Sequence, residues 1–113
     1  MATLVTAIIR PHAVDGVKNS LKAAGITGIT ASEVKGFGRQ GGQTETYRGA
    51  EYKIDFLPKI KLEIIVTNDL VDTVISTISA AASSGKIGDG KIWTIPVGTL
   101  VRIRTGELGD EAV

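Results

Sequence analysis

Ile60-Lys61-Leu62-Glu63-Ile64-Ile65-Val66-Thr67-Asn68-Asp69-Leu70-Val71-Asp72-Thr73-Val74-Ile75-Ser76-Thr77-Ile78-Ser79-Ala80-Ala81-Ala82 is the stretch that decides the fold. Its first part alternates. Ile60, Leu62, Ile64 and Val66 fall on one side, and Lys61, Glu63 and Ile65 on the other, which is the period of a strand with one apolar face. Thr67-Asn68-Asp69 reads as an N-cap. Val71, Val74, Ile75, Ile78 and Ala82 then form a helical stripe that stops at Ser83-Ser84-Gly85. The same unit occurs earlier in the chain. Leu4 to Ile9 is a short apolar run closed by Arg10-Pro11, Val14, Val17, Leu21 and Ala24 recur at helical spacing, and Gly25 supplies a stop. Ile29 to Lys35 reads as the next strand, Ile92 to Val97 as the one after the second helix, and Leu100 to Arg104 as a short last one. Two consecutive strand–helix–strand units predict an α+β, ferredoxin-like β-α-β-β-α-β domain. Because the apolar set on 60–66 cannot share a side with Lys61 and Glu63, one sheet face is expected to be partly apolar and turned away from the helices. Such a face favours a closed oligomer packed sheet against sheet.

The 113 residues fit one domain. Hydrophobic residues make up 42% but aromatic ones only 4%, so the core must be aliphatic. With 13 basic and 12 acidic residues the net charge is +1, which provides no overall field for nucleic acid or an anionic membrane. The absence of cysteine excludes disulfides and thiolate metal sites. With one histidine and no cysteine, neither a Ser-His-Asp nor a Cys-His arrangement can be assembled. His12, beside Pro11, reads as a surface or helix-entry residue and Trp93 as a packing residue. No segment has the apolar length of a membrane span or the flanks of a signal peptide, so the expected location is the cytoplasm.

Chemistry concentrates in three glycine-rich or basic segments. Lys35 to Tyr52 is a long polar loop between strand-like segments, and loops of that length in small domains are usually functional. Its Gly36-Phe37-Gly38-Arg39-Gln40-Gly41 satisfies G-x-G-x-x-G, but Gly42-Gln43-Thr44-Glu45-Thr46 has no helical period, so a dinucleotide fingerprint fails. Base-stacking aromatics do not follow Lys35-Gly36-Phe37-Gly38 either, which argues against RNA. Glu45, Glu51 and Asp55 read as solvated charges. Gly85-Lys86-Ile87-Gly88-Asp89-Gly90-Lys91 lacks the Walker spacing, yet its glycines and lysines suit phosphate oxygens. Arg102-Ile103-Arg104, taken as a strand, puts two guanidinium forks on one side. Together the segments predict a polyphosphate site for ATP or ADP.

Val34-Lys35-Gly36-Phe37-Gly38-Arg39-Gln40, Tyr47-Arg48-Gly49-Ala50-Glu51-Tyr52, Asp55-Phe56-Leu57-Pro58-Lys59, the 85–91 segment and Arg102-Ile103-Arg104-Thr105-Gly106-Glu107 resemble the PII nitrogen-regulatory signal proteins, nearly end to end. The resemblance implies a homotrimeric regulator, not an enzyme, that senses ATP or ADP and 2-oxoglutarate. It implies a single domain over 1–113, with a T-loop at about 37–55, a B-loop at about 83–91 and a C-loop at about 102–113. By matching motif, the nucleotide would be held by Thr30, Gly36, Gly38, Arg39, Glu63, Ile65, Gly88, Asp89, Gly90, Lys91, Arg102 and Arg104. Thr30, Glu63 and Ile65 would lie near adenine. Gln40, Gly41, Gly42, Lys59 and Gly88 would bind 2-oxoglutarate, and Gln40 would also reach Mg²⁺ alongside the phosphates. Tyr52 resembles the tyrosine that carries a nucleotidyl group, added by a nucleotidyltransferase. The implied partners are ammonium transporters, which would recruit the protein to the membrane, and nitrogen-metabolism enzymes. Gly41, Gln43 and Thr46 depart from the usual lysine, histidine and leucine of the loop, and His12 from a usual phenylalanine. Two alternatives stand beside this reading, an adenine-nucleotide sensor without a 2-oxoglutarate response and a slow ATPase.

Overall fold

Arg10-Pro11 ends the first strand because proline has no N–H to continue a ladder and disfavours helical geometry in the residue before it. In the computed structural model this strand, β1, runs Ala2–Ile9, and Pro11 opens a single 3₁₀ turn, Pro11–Ala13, that leads into α1, Val14–Ala23. The structure describes residues 1–37 and 56–113, together with the strand backbones at 44–47 and 50–53. Gly25, at φ +89°, closes α1: its N–H donates to the Lys22 carbonyl and that of Ile26 to the Leu21 carbonyl. This is the paired bonding of a Schellman cap, with the expected apolar contact supplied by buried Ile26 and Leu21.

The chain continues through β2 (Thr30–Gly36), β3 (Thr44–Tyr47), β4 (Ala50–Lys53), β5 (Leu57–Thr67), α2 (Val71–Ala82) and β6 (Gly90–Val97). Four strands form an antiparallel sheet in the order β2-β5-β1-β6, and both central strands belong to different strand–helix units. That is the ferredoxin-like β-α-β-β-α-β topology expected from the sequence. The hairpin β3–β4, paired from Thr44↔Lys53 to Tyr47↔Ala50, is an addition within what reads as an unstructured polar loop. Threonine and tyrosine at 44, 46, 47 and 52 supply the β-propensity that an apolar-period search overlooks.

The core lies between the sheet and the two helices. Val5, Ala7 and Ile9 of β1 meet Leu62, Ile64 and Val66 of β5, with Val17, Leu21, Ile26, Val74 and Ile78 above them. Burying each large aliphatic side chain contributes roughly 1.5–3 kcal/mol. The apolar set on β5 therefore faces the helices, not away from them. The open face is still partly apolar, but through other residues: Leu4 and Ile8 of β1, Ile65 of β5, and Trp93 and Ile95 of β6, among Lys61, Glu63 and Lys91. Trp93 is 41% exposed there, opposite buried Thr6, and is not part of the helix-side core.

Two local expectations are corrected. Thr67-Asn68-Asp69 forms no side-chain cap on α2; residues 68–70 make a 3₁₀ turn, and the Asn68 carboxamide oxygen instead accepts from the Thr3 hydroxyl at 2.5 Å. Leu100 to Arg104 is not a strand. Val101 makes one bridge to Leu108, and Gly106, at φ +75°, turns the chain between them while its N–H donates to the Arg102 carbonyl.

Candidate functional site

The turn between α2 and β6 is built around one carboxylate. Asp89 accepts from the Ser84 N–H at 2.7 Å, the Ser84 hydroxyl at 2.5 Å and the Gly85 N–H at 2.9 Å. Arg10 Nε lies 3.5 Å from the same side chain. The Ser84 hydroxyl and N–H, with the Gly85 N–H and the Arg10 charge, hold the Asp89 carboxyl at about 2, below the usual carboxylate range. The sign follows directly. Asp89 is ionised in the folded chain down to lower pH than in the unfolded one, so its contribution is complete above about pH 4 and fades as pH falls toward 2. Protection of the Ser84 and Gly85 amides, followed by hydrogen exchange, should thus hold from neutral pH down to about pH 4 and weaken below it, and Asp89→Asn should abolish that acid limb.

Two cations close the turn from the sheet. Arg10 donates a guanidinium N–H to the Ile87 carbonyl at 2.5 Å, and Lys59 Nζ donates to the Gly88 carbonyl at 2.9 Å. Burial, and then the neighbouring Arg10 charge, lower the Lys59 pKa from its ordinary value, while Asp89 acts in the opposite sense. Gly88 and Gly90 take φ +100° and +115°, so the turn leans on glycine at both positions. Gly90 and Lys91 begin β6, so the final two residues of the expected 83–91 loop lie on the strand. Gly36, at the end of β2, sits against the Lys59 stem, and a Cβ there would lie 3.3 Å from Lys59 Cγ.

The expected nucleotide residues divide into two groups within one chain. Thr30, Glu63 and Ile65 line one cleft of about 410 Å³ with Leu4, Gly28, Leu100, Ala112 and Val113. Thr30 and Glu63 are cross-strand neighbours, which explains their meeting. Asp89, Gly90 and Lys91 line a different cleft of about the same volume, between β1, β6 and α2, with Ile8, Ile75, Ile78 and Ser79. Arg102 does not share a strand side with Arg104. It donates to the Glu107 carboxylate at 2.7 Å and to the Val113 carbonyl at 3.0 Å, while the Thr105 hydroxyl also holds Glu107. Arg104 is exposed. Gly38, Arg39, Gln40, Gly41, Gly42 and the Tyr52 side chain lie outside the described residues.

Sequence reasoning missed Arg10, which reads locally as a strand terminator. His12 is exposed on the 3₁₀ turn, as expected. Among the described residues, no group of three or more histidine or acidic side chains could hold a metal ion, and no helix is long and apolar enough to cross a membrane.

Residues 2–107 match the family model described as Nitrogen regulatory protein P-II. This chain belongs to the P-II family. It is 58% identical over 109 residues to the nitrogen regulatory protein P-II of Klebsiella oxytoca and 57% identical to nitrogen regulatory protein P-II 1 of Escherichia coli strain K12, covering 96% of this chain and 97% of each relative. Among solved structures, it is similar to a crystal structure of Arabidopsis thaliana PII bound to citrate, with 40% identity, a TM-score of 0.82 and coverage of 99% of this chain and 92% of that one. The two bacterial relatives are named as regulatory proteins, not as enzymes, and the coverage of both chains in all three comparisons makes the whole ferredoxin-like domain the unit of likeness.

Proposed function

We propose that this P-II family protein senses ATP or ADP together with 2-oxoglutarate, and regulates nitrogen assimilation by docking its T-loop against ammonium transporters or nitrogen-metabolism enzymes. The observation that carries the reading is the turn at 84–91, where the Lys59 ammonium and the Arg10 guanidinium converge on the adjacent Gly88 and Ile87 carbonyls. A dicarboxylate arriving at Gly88 would exchange a neutral carbonyl for a charged acceptor at Lys59, a stronger hydrogen bond. The citrate bound by the Arabidopsis relative is a small polycarboxylate and supports that class of ligand.

Phosphates would be taken by Lys91, Arg102, Arg104 and Arg39, with the amides around Gly88 to Gly90 and the backbone at Gly36 and Gly38. Adenine would sit at Thr30, Glu63 and Ile65. Because those groups line separate clefts of one chain, a nucleotide using both would lie between subunits. A homotrimer packed through the open sheet faces supplies that arrangement. Mg²⁺ would join phosphate oxygens, Gln40 and the keto acid, with Gly41 and Gly42 closing on 2-oxoglutarate, so that its binding depends on ATP. ADP, lacking the γ-phosphate, would leave the loop in another state. Tyr52 would be the site of nucleotidylation, and the protein would act in the cytoplasm, moving to the membrane only through a transporter.

Titration calorimetry with 2-oxoglutarate tests this. Heat is expected only in the presence of Mg-ATP, and Lys59→Ala should remove it while ATP still binds. Absence of heat with and without Mg-ATP would reduce the function to adenine-nucleotide sensing.

A further inference from the structure

Arg10 reaches across the fold in a way that neither its place at the end of β1 nor the proposed ligands require. Its side chain is only 20% exposed, one terminal nitrogen is spent on the Ile87 carbonyl, and Nε is buried without a hydrogen bond, facing Asp89 at 3.5 Å. Asp89 in turn holds the Ser84 and Gly85 amides. The guanidinium thus touches the turn at its middle and at its anchor. Glycines at 85, 88 and 90, all with positive φ, give this segment a large amount of backbone freedom to lose. A segment of that kind binds poorly unless something fixes it beforehand, because the ordering cost otherwise falls on the ligand.

We propose that Arg10 is the positioning residue of the 84–91 turn: through the Ile87 carbonyl and the Asp89 carboxylate it fixes the peptides at 87–89, and so presents Gly88 and Lys91 to an anionic ligand. The binding consequence rests on the function proposed above, whereas the anchoring does not. Arginine suits the role because its planar guanidinium donates to the Ile87 carbonyl while its Nε faces the Asp89 carboxylate, whereas a lysine ammonium is a compact point charge on a flexible stem. Lys59 completes the arrangement from β5 at the next carbonyl, and it is the only one of the two cations that the proposal leaves to change partner.

The test is amide hydrogen exchange on the full chain without added nucleotide, for the wild type, Arg10→Gln, Arg10→Lys, Asp89→Asn and Arg10→Gln/Asp89→Asn. Arg10→Gln should lower protection at Ser84, Gly85 and Asp89 by about tenfold through local opening, while the amides of Val5 and Ile64 keep theirs. Arg10→Lys should recover little of it. Asp89→Asn should reproduce the loss at Ser84 and Gly85, and the double variant should be no worse than the worse single one, since both act on one unit. Mg-ATP affinity should then fall in step with amide protection across the series. Unchanged protection in Arg10→Gln, additive losses in the double variant, or equal losses at Val5 and Ile64 would each overturn the proposal. So would weakened ligand binding with undisturbed amides, which would make Arg10 a direct ligand contact. If the wild type binds no nucleotide, the proposed function fails and the amide result still decides the anchoring.

Discussion

Gly90→Ala is expected to destabilise the protein by about 3–5 kcal/mol, more than most single substitutions, and to lower Tm by more than about 10 °C. Two independent costs meet at this position. Its φ of +115° is a conformation that L-residues rarely adopt, which alone costs roughly 1–3 kcal/mol. A Cβ there would also lie 1.7 Å from the Ile8 carbonyl oxygen and 2.8 Å from its carbon. Those atoms are backbone of the central strand β1, so relief requires opening the Ile9↔Gly90 end of the β1–β6 ladder. That opening would also displace Lys91 and the Asp89 anchor. Gly98→Ala is the matched control: nothing lies within 4 Å of its added Cβ and its φ is ordinary, so a change within about 0.5 kcal/mol is expected. Urea unfolding of both variants checks the contrast, and a Gly90→Ala midpoint close to wild type would mean that β6 does not start against Ile8.

Much of this architecture is legible in the sequence because periodicity records which residues of one element share a side. The two strand–helix units follow from Leu4–Ile9, the 14–24 stripe, Ile60–Val66 and the 71–82 stripe, and the observed elements agree with them. What alternation on one strand cannot record is which side the helices cover. The open face draws its apolar character from Leu4, Ile8, Ile65, Trp93 and Ile95, spread over three strands, so no single stretch displays it. Asn68 has the right identity for a cap, but a competing partner on β1, Thr3, takes its side chain. The Arg102–Arg104 spacing fits a strand equally well as a turn until Gly106 bends the chain and Glu107 claims Arg102. The 85–91 turn was readable because its positive-φ positions demand glycine, which leaves a mark in the sequence. Arg10 left none, since its partners lie on the far side of α2 in sequence and local patterns do not carry such contacts.

Two adjacent isoleucines on β5 turn that difference between faces into the second large effect. Ile64 is fully buried beneath the helices, opposite Val5, whereas Ile65 is 37% exposed on the open face, opposite Leu4. Ile64→Ala removes three buried carbons and leaves a cavity that the surrounding β-sheet and helices cannot collapse to fill, so a loss of about 2–5 kcal/mol is expected. Ile65→Ala removes the same atoms from a surface already partly wet, and about 1 kcal/mol or less should be lost from the fold of the chain itself. Its consequence should appear elsewhere. Ile65 lines the cleft with Thr30 and Glu63, and under the proposed function it supplies apolar contact to adenine. Ile65→Ala should therefore weaken ATP and ADP together, several-fold and without distinguishing them, because both carry the same base. Ile64→Ala should leave nucleotide affinity nearly unchanged at temperatures where the chain remains folded. Thermal unfolding and nucleotide titration of the pair separate the roles. Equal stability losses would mean that the strand is not one-sided, and an ATP-selective loss in Ile65→Ala would move adenine away from this cleft.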